Sequence, residues 1–479
     1  MTDHLTLNIN NCFADRIGSA HGLTPRDLES ASPRMADLTD RLAAMDRAGE
    51  TRWRSLCHDP LRREHLAAVK QTVADTNAHF ESTSKGKRCK HLIVLGIGGS
   101  ALGNIALQAA LKEHVHNLTP CTHRIGPRLY ILDNVDPHFV GDLMRHLEIK
   151  DPGLTHTAVN VISKSGETAE TAAQFMIFRD WLKAHLGDAY RKHIIAITDP
   201  SRGTMRSIVD DEGYATLPVP DGVGGRFSVL SPVGLFSAAM CGIDIDALLA
   251  GAAAMDQRCQ SRTLEDNPAA TLAWLLMEFT KRGKGNHVMM PYCNALYSLA
   301  DWYRQLWAES LGKRLDLSGR EVFAGATPIK ALGTTDQHSQ VQLYREGPND
   351  KVFGFVDLAR WERDVPIPST LNVEAISYLH GHTLAQLIAA EKRATEYALV
   401  ESERPNFTIT LPRLTAEHVG AFIQLWEVVT AYAGLILNIN AYDQPAVETG
   451  KVATFGLMGR AGYEQWKTKV EERLGSKRP

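Results

Sequence analysis

Four short apolar runs recur between residues 92 and 200: Leu92-Ile-Val-Leu95, Leu129-Tyr-Ile-Leu132, Ala158-Val-Asn-Val-Ile162 and Ile194-Ile-Ala-Ile197. Polar turns follow them: Gly96-Ile-Gly-Gly-Ser100, Asp133-Asn134, Ser163-Lys-Ser-Gly-Glu-Thr168 and Thr198-Asp-Pro200. Helical spacing comes after the first turn (Leu102, Ile105, Ala106, Ala109) and after the third (Phe175, Phe178, Trp181, Leu182). Runs this short and apolar are strands buried on both faces. Strands that alternate with helices build a parallel α/β sheet covered on both sides. Ligands of such sheets bind beyond the carboxyl ends of the strands, which is where the Gly-, Ser- and Thr-rich turns fall.

A second unit begins near residue 260. His287-Val-Met-Met290 is a weak strand signal, Val352-Phe-Gly-Phe-Val356 a firmer one, and Phe407-Thr-Ile-Thr-Leu411 alternates as a strand does. A helix from Tyr297 to Leu311, ended by Gly312, lies between the first two, and Val419 to Leu435 reads as a strongly apolar helix. Residues 1–50 read as an irregular segment with a helix around Leu38, Leu42 and Met45. Residues 51–90 read as further helix packed through Trp53, Leu56, Leu61, Leu66 and Val69, with a solvated basic turn at Lys85-Gly-Lys-Arg-Cys-Lys90. The expected division is an N-terminal helical extension (1–50), two α/β domains (51–255 and 256–435) and a C-terminal segment and tail (436–479).

In 479 residues, 52 Lys and Arg against 55 Asp and Glu leave a net charge of −3. No broad basic field exists, so nucleic acid is a poor candidate partner. The seven cysteines are scattered without a Cys-x-x-Cys pair, which speaks against a disulfide scaffold or zinc and for a cytoplasmic location. No signal peptide is expected from Met-Thr-Asp-His-Leu-Thr, and no apolar run reaches the roughly 20 residues of a membrane helix.

Six stretches carry chemistry. Gly96–Ser100 opens a helix and offers backbone N–H groups, with Ser100 as a further donor, to an anion. It lacks the last glycine of a dinucleotide fingerprint, where Ala101 stands, and the Gly-Lys-Ser/Thr of a nucleotide loop. Ser163-Lys164-Ser165-Gly-Glu-Thr168 has three hydroxyls, a lysine and a helix start, enough for a phosphate monoester. Plain N-capping would need only one hydroxyl. Asp221-Gly-Val-Gly-Gly-Arg-Phe-Ser-Val-Leu-Ser-Pro-Val-Gly234 puts the fixed cation Arg226 behind the flexible pair Gly224 and Gly225. Gln305 and Glu309 share a helix face at the flank of the stripe Leu299, Trp302, Tyr303, Leu306. A carboxylate there is partly shielded, as a general base needs to be; on one helix alone it also reads as a surface acid. His338 ends the polar turn Gly333-Thr-Thr-Asp-Gln-His338, and Lys451 closes Tyr442-Asp-Gln-Pro-Ala-Val-Glu-Thr-Gly-Lys451.

Together these stretches resemble the glucose-6-phosphate isomerase (phosphoglucose isomerase) family, in that family's order, from about residue 90 to about 455. The fourteen residues Asp221–Gly234 are similar to one family signature, and Tyr442–Lys451 to another. In the second, Ala446 stands where the family has glycine. The resemblance implies two sugar-isomerase (SIS) doubly wound domains with helical extensions, and a homodimer whose active sites are shared. It implies a cofactor-free, metal-free aldose–ketose isomerase of glycolysis and gluconeogenesis. This enzyme converts glucose 6-phosphate and fructose 6-phosphate by ring opening and an enediolate. It implies that Ser163, Lys164, Ser165 and Thr168, with Gly99 and Ser100, hold the phosphate. Glu309 would move the proton, and Arg226, next to Gly225, would stabilise the enediolate. His338, supplied by the other subunit, and Lys451 would assist ring opening, while Gln305 and Gln444 line the sugar. Two alternatives are a dual phosphoglucose/phosphomannose isomerase and a non-catalytic sugar-phosphate sensor. The sensor is the weaker of the two, since no helix-turn-helix or basic face is evident.

Overall fold

The computed structural model describes residues 3–83 and 88–475; Lys85-Gly-Lys87 of the expected basic turn and the Lys477–Pro479 end lie outside the described residues. Among the described residues, twelve strands and their helices form two five-stranded sheets and a two-stranded arm. In chain order the strands are β1 (Thr6–Asn8), β2 (His91–Leu95), β3 (Arg128–Leu132), β4 (Thr157–Ile162), β5 (Ile194–Thr198) and β6 (Ala215–Pro218), then β7 (Asn286–Pro291), β8 (Lys313–Leu315), β9 (Glu321–Ala324), β10 (Thr327–Lys330), β11 (Lys351–Leu358) and β12 (Asn406–Leu411).

The first sheet has the order β3-β2-β4-β5-β6 and is parallel throughout. Its strands β2 and β4 are buried along their whole length, as their unbroken apolar runs require. The chain goes from β2 outward to β3 and then back across to β4, so connections leave β2 and β4 in opposite directions. That reversal opens a crevice at their carboxyl ends, and the two turns there are Gly96–Ser100 and Ser163–Thr168.

The second sheet has the order β1-β12-β11-β7-β10. Four strands are parallel, and β1 pairs antiparallel with β12 from Thr6↔Thr410 to Asn8↔Thr408. Two expectations change here. Residues 1–50 do not only lay a helix on the fold: their first strand completes the edge of the second sheet. Nor do the four apolar runs make up the whole first sheet, because Ala215-Thr-Leu-Pro218 adds a fifth, edge strand. Both edges are too short and mixed to show an apolar period. Residues 51–90 are likewise not continuous helix; a 3-10 turn at Arg54–Cys57 precedes the helix Leu61–Thr83.

Helix Ala416–Leu437 is the axis of the second unit. By length and composition it passes for a membrane span, yet 94% of its most apolar window is buried inside the protein. It packs on helices Ile245–Arg258, Pro268–Lys281 and Pro25–Arg47; Thr39 and Tyr432 share a buried hydroxyl contact of 2.9 Å across the last pair. The crossing with Ile245–Arg258 is made backbone to backbone. A Cβ on Gly420 would stand 1.9 Å from the Leu248 carbonyl oxygen, a contact that only separation of the helices relieves. Gly420→Ala is therefore expected to cost about 3 kcal/mol, at the upper end of overpacking penalties. A thermal unfolding midpoint equal to that of the parent would show that the helices part freely.

Candidate active site

The site is built where the first sheet's crevice meets the helix Tyr297–Leu311. The Gly96–Ser100 turn becomes a short 3-10 turn over Gly98–Ser100. It lies directly against the second glycine pair: a Cβ on Gly99 would stand 2.1 Å from the carbonyl carbon of Gly225 and 2.6 Å from the Arg226 nitrogen. Glycine at 99 is what lets the two turns stack. The Ser100 hydroxyl has no protein partner among the described residues, while its carbonyl accepts from Asn104 Nδ2 at 2.9 Å.

At the end of β4, Ser163 Oγ accepts from the Gly166 N–H and Ser165 Oγ from the Glu167 N–H, both at 3.1 Å. Each hydroxyl commits an oxygen lone pair to the turn and keeps its hydrogen to donate. Thr168 occupies the N-cap of helix Ala169–Leu186 but makes no capping bond with its side chain. Hydroxyl hydrogens and the first helical N–H groups thus remain for an anion. Lys164 is exposed at the same turn.

Arg226 is 3% exposed and held on all sides. Its Nε donates to Ser310 Oγ (2.7 Å), Nη1 to Gln444 Oε1 (3.0 Å), and Nη2 to the carbonyls of Ala441 (2.7 Å) and Asp443 (3.1 Å). Burial lowers its pKa, and the charge of Glu309 opposes that shift; arginine nevertheless stays protonated in proteins. Glu309 Oε1 lies 3.7 Å from Nη1, and the Glu309 side chain is 25% exposed. Leu299, Trp302, Tyr303 and Leu306 are all buried on the stripe that carries it. Gln305 donates through Nε2 to Glu309 Oε2 at 3.1 Å, and its own Oε1 is buried without a partner. An unfilled acceptor beside a base and a fixed cation suits a ligand bearing hydroxyl groups.

Three contributors were assigned no role from the sequence. Ser310 holds the guanidinium. Lys313 donates to the carbonyls of Glu309 (2.8 Å), Ser310 (2.9 Å) and Asp443 (2.9 Å). The Asp443 carbonyl accepts from both Lys313 and Arg226. Burial first, then the nearby Arg226 charge, lowers the Lys313 pKa. The one available clue was its place just past a helix end, where a lysine meets the last carbonyls. A cavity of about 1120 Å³ opens here, with Gln305, Glu309, Lys313, Asp443, Gln444 and Ala446 in its wall. Ala446 sits in a 3-10 turn, Pro445–Val447, and not at positive φ, so a side chain is accommodated where a glycine was expected.

Two expected residues make no hydrogen bond or ion pair with this group among the described residues. Lys451 is exposed on helix Glu448–Leu457 and donates to Glu448 at 2.7 Å. His338 is exposed after the 3-10 turn Thr335–Gln337, whose Gln337 accepts from Tyr292 at the end of β7. The helix that carries Glu309 starts at that same edge and runs back along the sheet. Twelve residues separate Tyr297 from Glu309, about 18 Å of helix. Among the described residues no hydrogen bond or ion pair joins His338 to Glu309. Among the described residues no group of three or more His, Cys, Asp or Glu could hold a metal ion.

Residues 62–458 match the family model described as phosphoglucose isomerase. A glucose-6-phosphate isomerase from Carboxydothermus hydrogenoformans is 41% identical over 472 residues, covering 97% of each chain. One from Rubrobacter xylanophilus is 44% identical over 444 residues, 92% of this chain and 96% of that protein. Among solved structures, a hypothetical protein from Thermus thermophilus superposes with a TM-score of 0.82 at 37% identity, over 95% of this chain and all of that one.

Proposed function

We propose a mechanism that starts from one premise: the chain belongs to the phosphoglucose isomerase family. It is a glucose-6-phosphate isomerase and interconverts D-glucose 6-phosphate and D-fructose 6-phosphate. The two alternatives are not favoured, because the relatives that match over nearly the whole length are named for this one activity.

The roles of individual residues are our reading. The Ser163–Thr168 turn, with Gly99 and Ser100, holds the phosphate and so fixes the sugar at a remote handle. Glu309 removes the proton from the carbon beside the carbonyl. The electron pair moves onto the carbonyl oxygen, giving an enediolate; a proton passes from the neighbouring hydroxyl to that oxygen, and Glu309 returns the carbon-bound proton to the former carbonyl carbon, leaving the carbonyl on its neighbour. Hydrogen goes back to the same molecule, so no oxidant or reductant is consumed. Arg226 faces the oxygen where charge builds, and it is held by four acceptors before the substrate arrives, so little reorganisation is needed. Gln305 Oε1 and Gln444 line the sugar. The carrying observation is Glu309 3.7 Å from a buried arginine, next to a buried, unfilled amide oxygen.

The ring-opening groups require more than one chain. We read His338 as acting in the site of a second copy, in a homodimer, with Lys451 acting in its own site. Two observations support this. His338 is exposed and makes no hydrogen bond or ion pair with Glu309 among the described residues. The same part of the molecule exposes a run of large apolar side chains, among them Leu371 (60%), Tyr378 (71%) and Leu384 (51%), an apolar surface that a partner would cover. The proposed division is two α/β domains, 51–255 and 256–435, flanked by an N-terminal extension and a C-terminal segment, in a cytoplasmic enzyme.

Metal-stripped protein incubated with fructose 6-phosphate is expected to form glucose 6-phosphate and no mannose 6-phosphate. Both products together would restore dual specificity. Tight binding without turnover would mark a sensor and remove the catalytic roles of Glu309 and Arg226.

A further inference from the structure

The turn that holds the phosphate also carries an acid. Glu167 stands between Ser165 and Thr168, where an unpaired carboxylate would repel a dianion. It is not unpaired. Its Oε1 accepts from Thr204 Oγ1 at 3.2 Å and its Oε2 from Arg460 Nη2 at 2.8 Å. The Arg460 bond is the largest cause of the lowered Glu167 pKa.

Arg460 comes from far along the chain. It lies between helices Glu448–Leu457 and Glu464–Leu474. Its guanidinium carbon is 4.4 Å from the Phe455 ring centre and 5.3 Å from that of Tyr463, and the two rings meet edge to face at 5.2 Å. Such stacking fixes the direction of a long side chain. Phe455 is four residues beyond Lys451, on the same helix face. These two helices bury almost nothing: Gly456 in the first, no residue in the second. Among the described residues, the Arg460–Glu167 pair is the one hydrogen bond that joins residues 448–475 to the chain before residue 440.

We propose that Arg460 is a positioning residue with two effects: it cancels the carboxylate inside the phosphate turn, and it fastens the helix bearing Lys451 to that turn. Phosphate binding and placement of Lys451 are thereby joined through one ion pair. The inference rests on the reading of Ser163–Thr168 as the phosphate turn and of Lys451 as a group acting on the sugar.

Three variants separate the two effects by steady-state kinetics with fructose 6-phosphate. Arg460→Gln leaves Glu167 unpaired and the helix unfastened; KM rises roughly three- to tenfold and kcat falls by a similar factor. Glu167→Gln unfastens the helix but leaves no repelling charge; kcat falls as before and KM does not rise. In the double variant KM returns to within about twofold of the parent while kcat stays low, a non-additivity expected only of directly coupled groups. Arg460→Gln with unchanged KM and kcat overturns the proposal, and so does a double variant whose KM stays as high as that of Arg460→Gln. Exposed ion pairs contribute little to stability, so folding is not at stake. Thr168→Ala is the control for the underlying reading: a KM equal to the parent's would remove the phosphate assignment itself, and the proposal with it.

Discussion

Glu309→Gln is expected to bind sugar phosphate as the parent does and to lose about a thousandfold in kcat, mid-range for removal of a general base. The amide is nearly the size of the carboxylate. Gln305 Nε2 exchanges a charged acceptor for a neutral one, since the carbonyl oxygen of the introduced amide can take the same hydrogen bond. The cavity and the phosphate turn are untouched. What disappears is the lone pair that accepts a carbon-bound proton. Solvent exchange makes the test sharp: fructose 6-phosphate held in deuterated water with the variant should take up no deuterium at the carbon next to the carbonyl. Normal turnover would move the base to another residue of the cavity wall.

Arg226→Lys is expected to lose about a hundredfold in kcat and to lower the unfolding midpoint as well. A lysine retains the charge but not the fork. The guanidinium donates at once to Ser310, Gln444, Ala441 and Asp443, whereas an ammonium has three donors on one point. At least one acceptor is left buried and unpaired, at about 1–3 kcal/mol. The cation also shifts relative to Glu309 and to the oxygen it should face, which costs about 10²–10³ in rate when one preorganised donor is removed. The two losses are separable: kcat measured at saturating substrate reports the site, and denaturant unfolding reports the fork. Full kcat in a destabilised variant would make Arg226 a structural residue.

The layout of the first sheet was legible because its strands are short, apolar and bounded by turns rich in glycine and hydroxyls. The helix Tyr297–Leu311 was legible to the residue because Gly312 ends it and its apolar stripe is unbroken. The edges were not. Thr6–Asn8, Ala215–Pro218 and Thr327–Lys330 are three or four residues each, two of them with proline. Their pairing is decided by neighbours far along the chain. The polar centre divides in the same way. Arg226, Glu309 and Gln305 stood out because each breaks an otherwise apolar or glycine-rich pattern. Lys313 did not, because a lysine after a helix is ordinarily solvated; here the Asp443 carbonyl, 130 residues away, turns it inward. Nor can spacing tell that His338 is left exposed, without a hydrogen bond or ion pair to Glu309.

The acceptors of Arg226 give the protein a timetable. The Ala441 carbonyl follows Arg226 by 215 residues and the Asp443 carbonyl by 217. A ribosome adding about 5–20 residues per second needs roughly 10–40 s to bridge that gap. Through that interval the first sheet can form, but its arginine has none of the carbonyls that later enclose it, and a guanidinium left dry and unpaired is too costly to bury. The Gly224–Ser228 turn therefore waits in water. The enclosure of Arg226 is completed only when residues 441–444 dock, and a chain stopped short of them carries an exposed charge as the mark of its incompleteness.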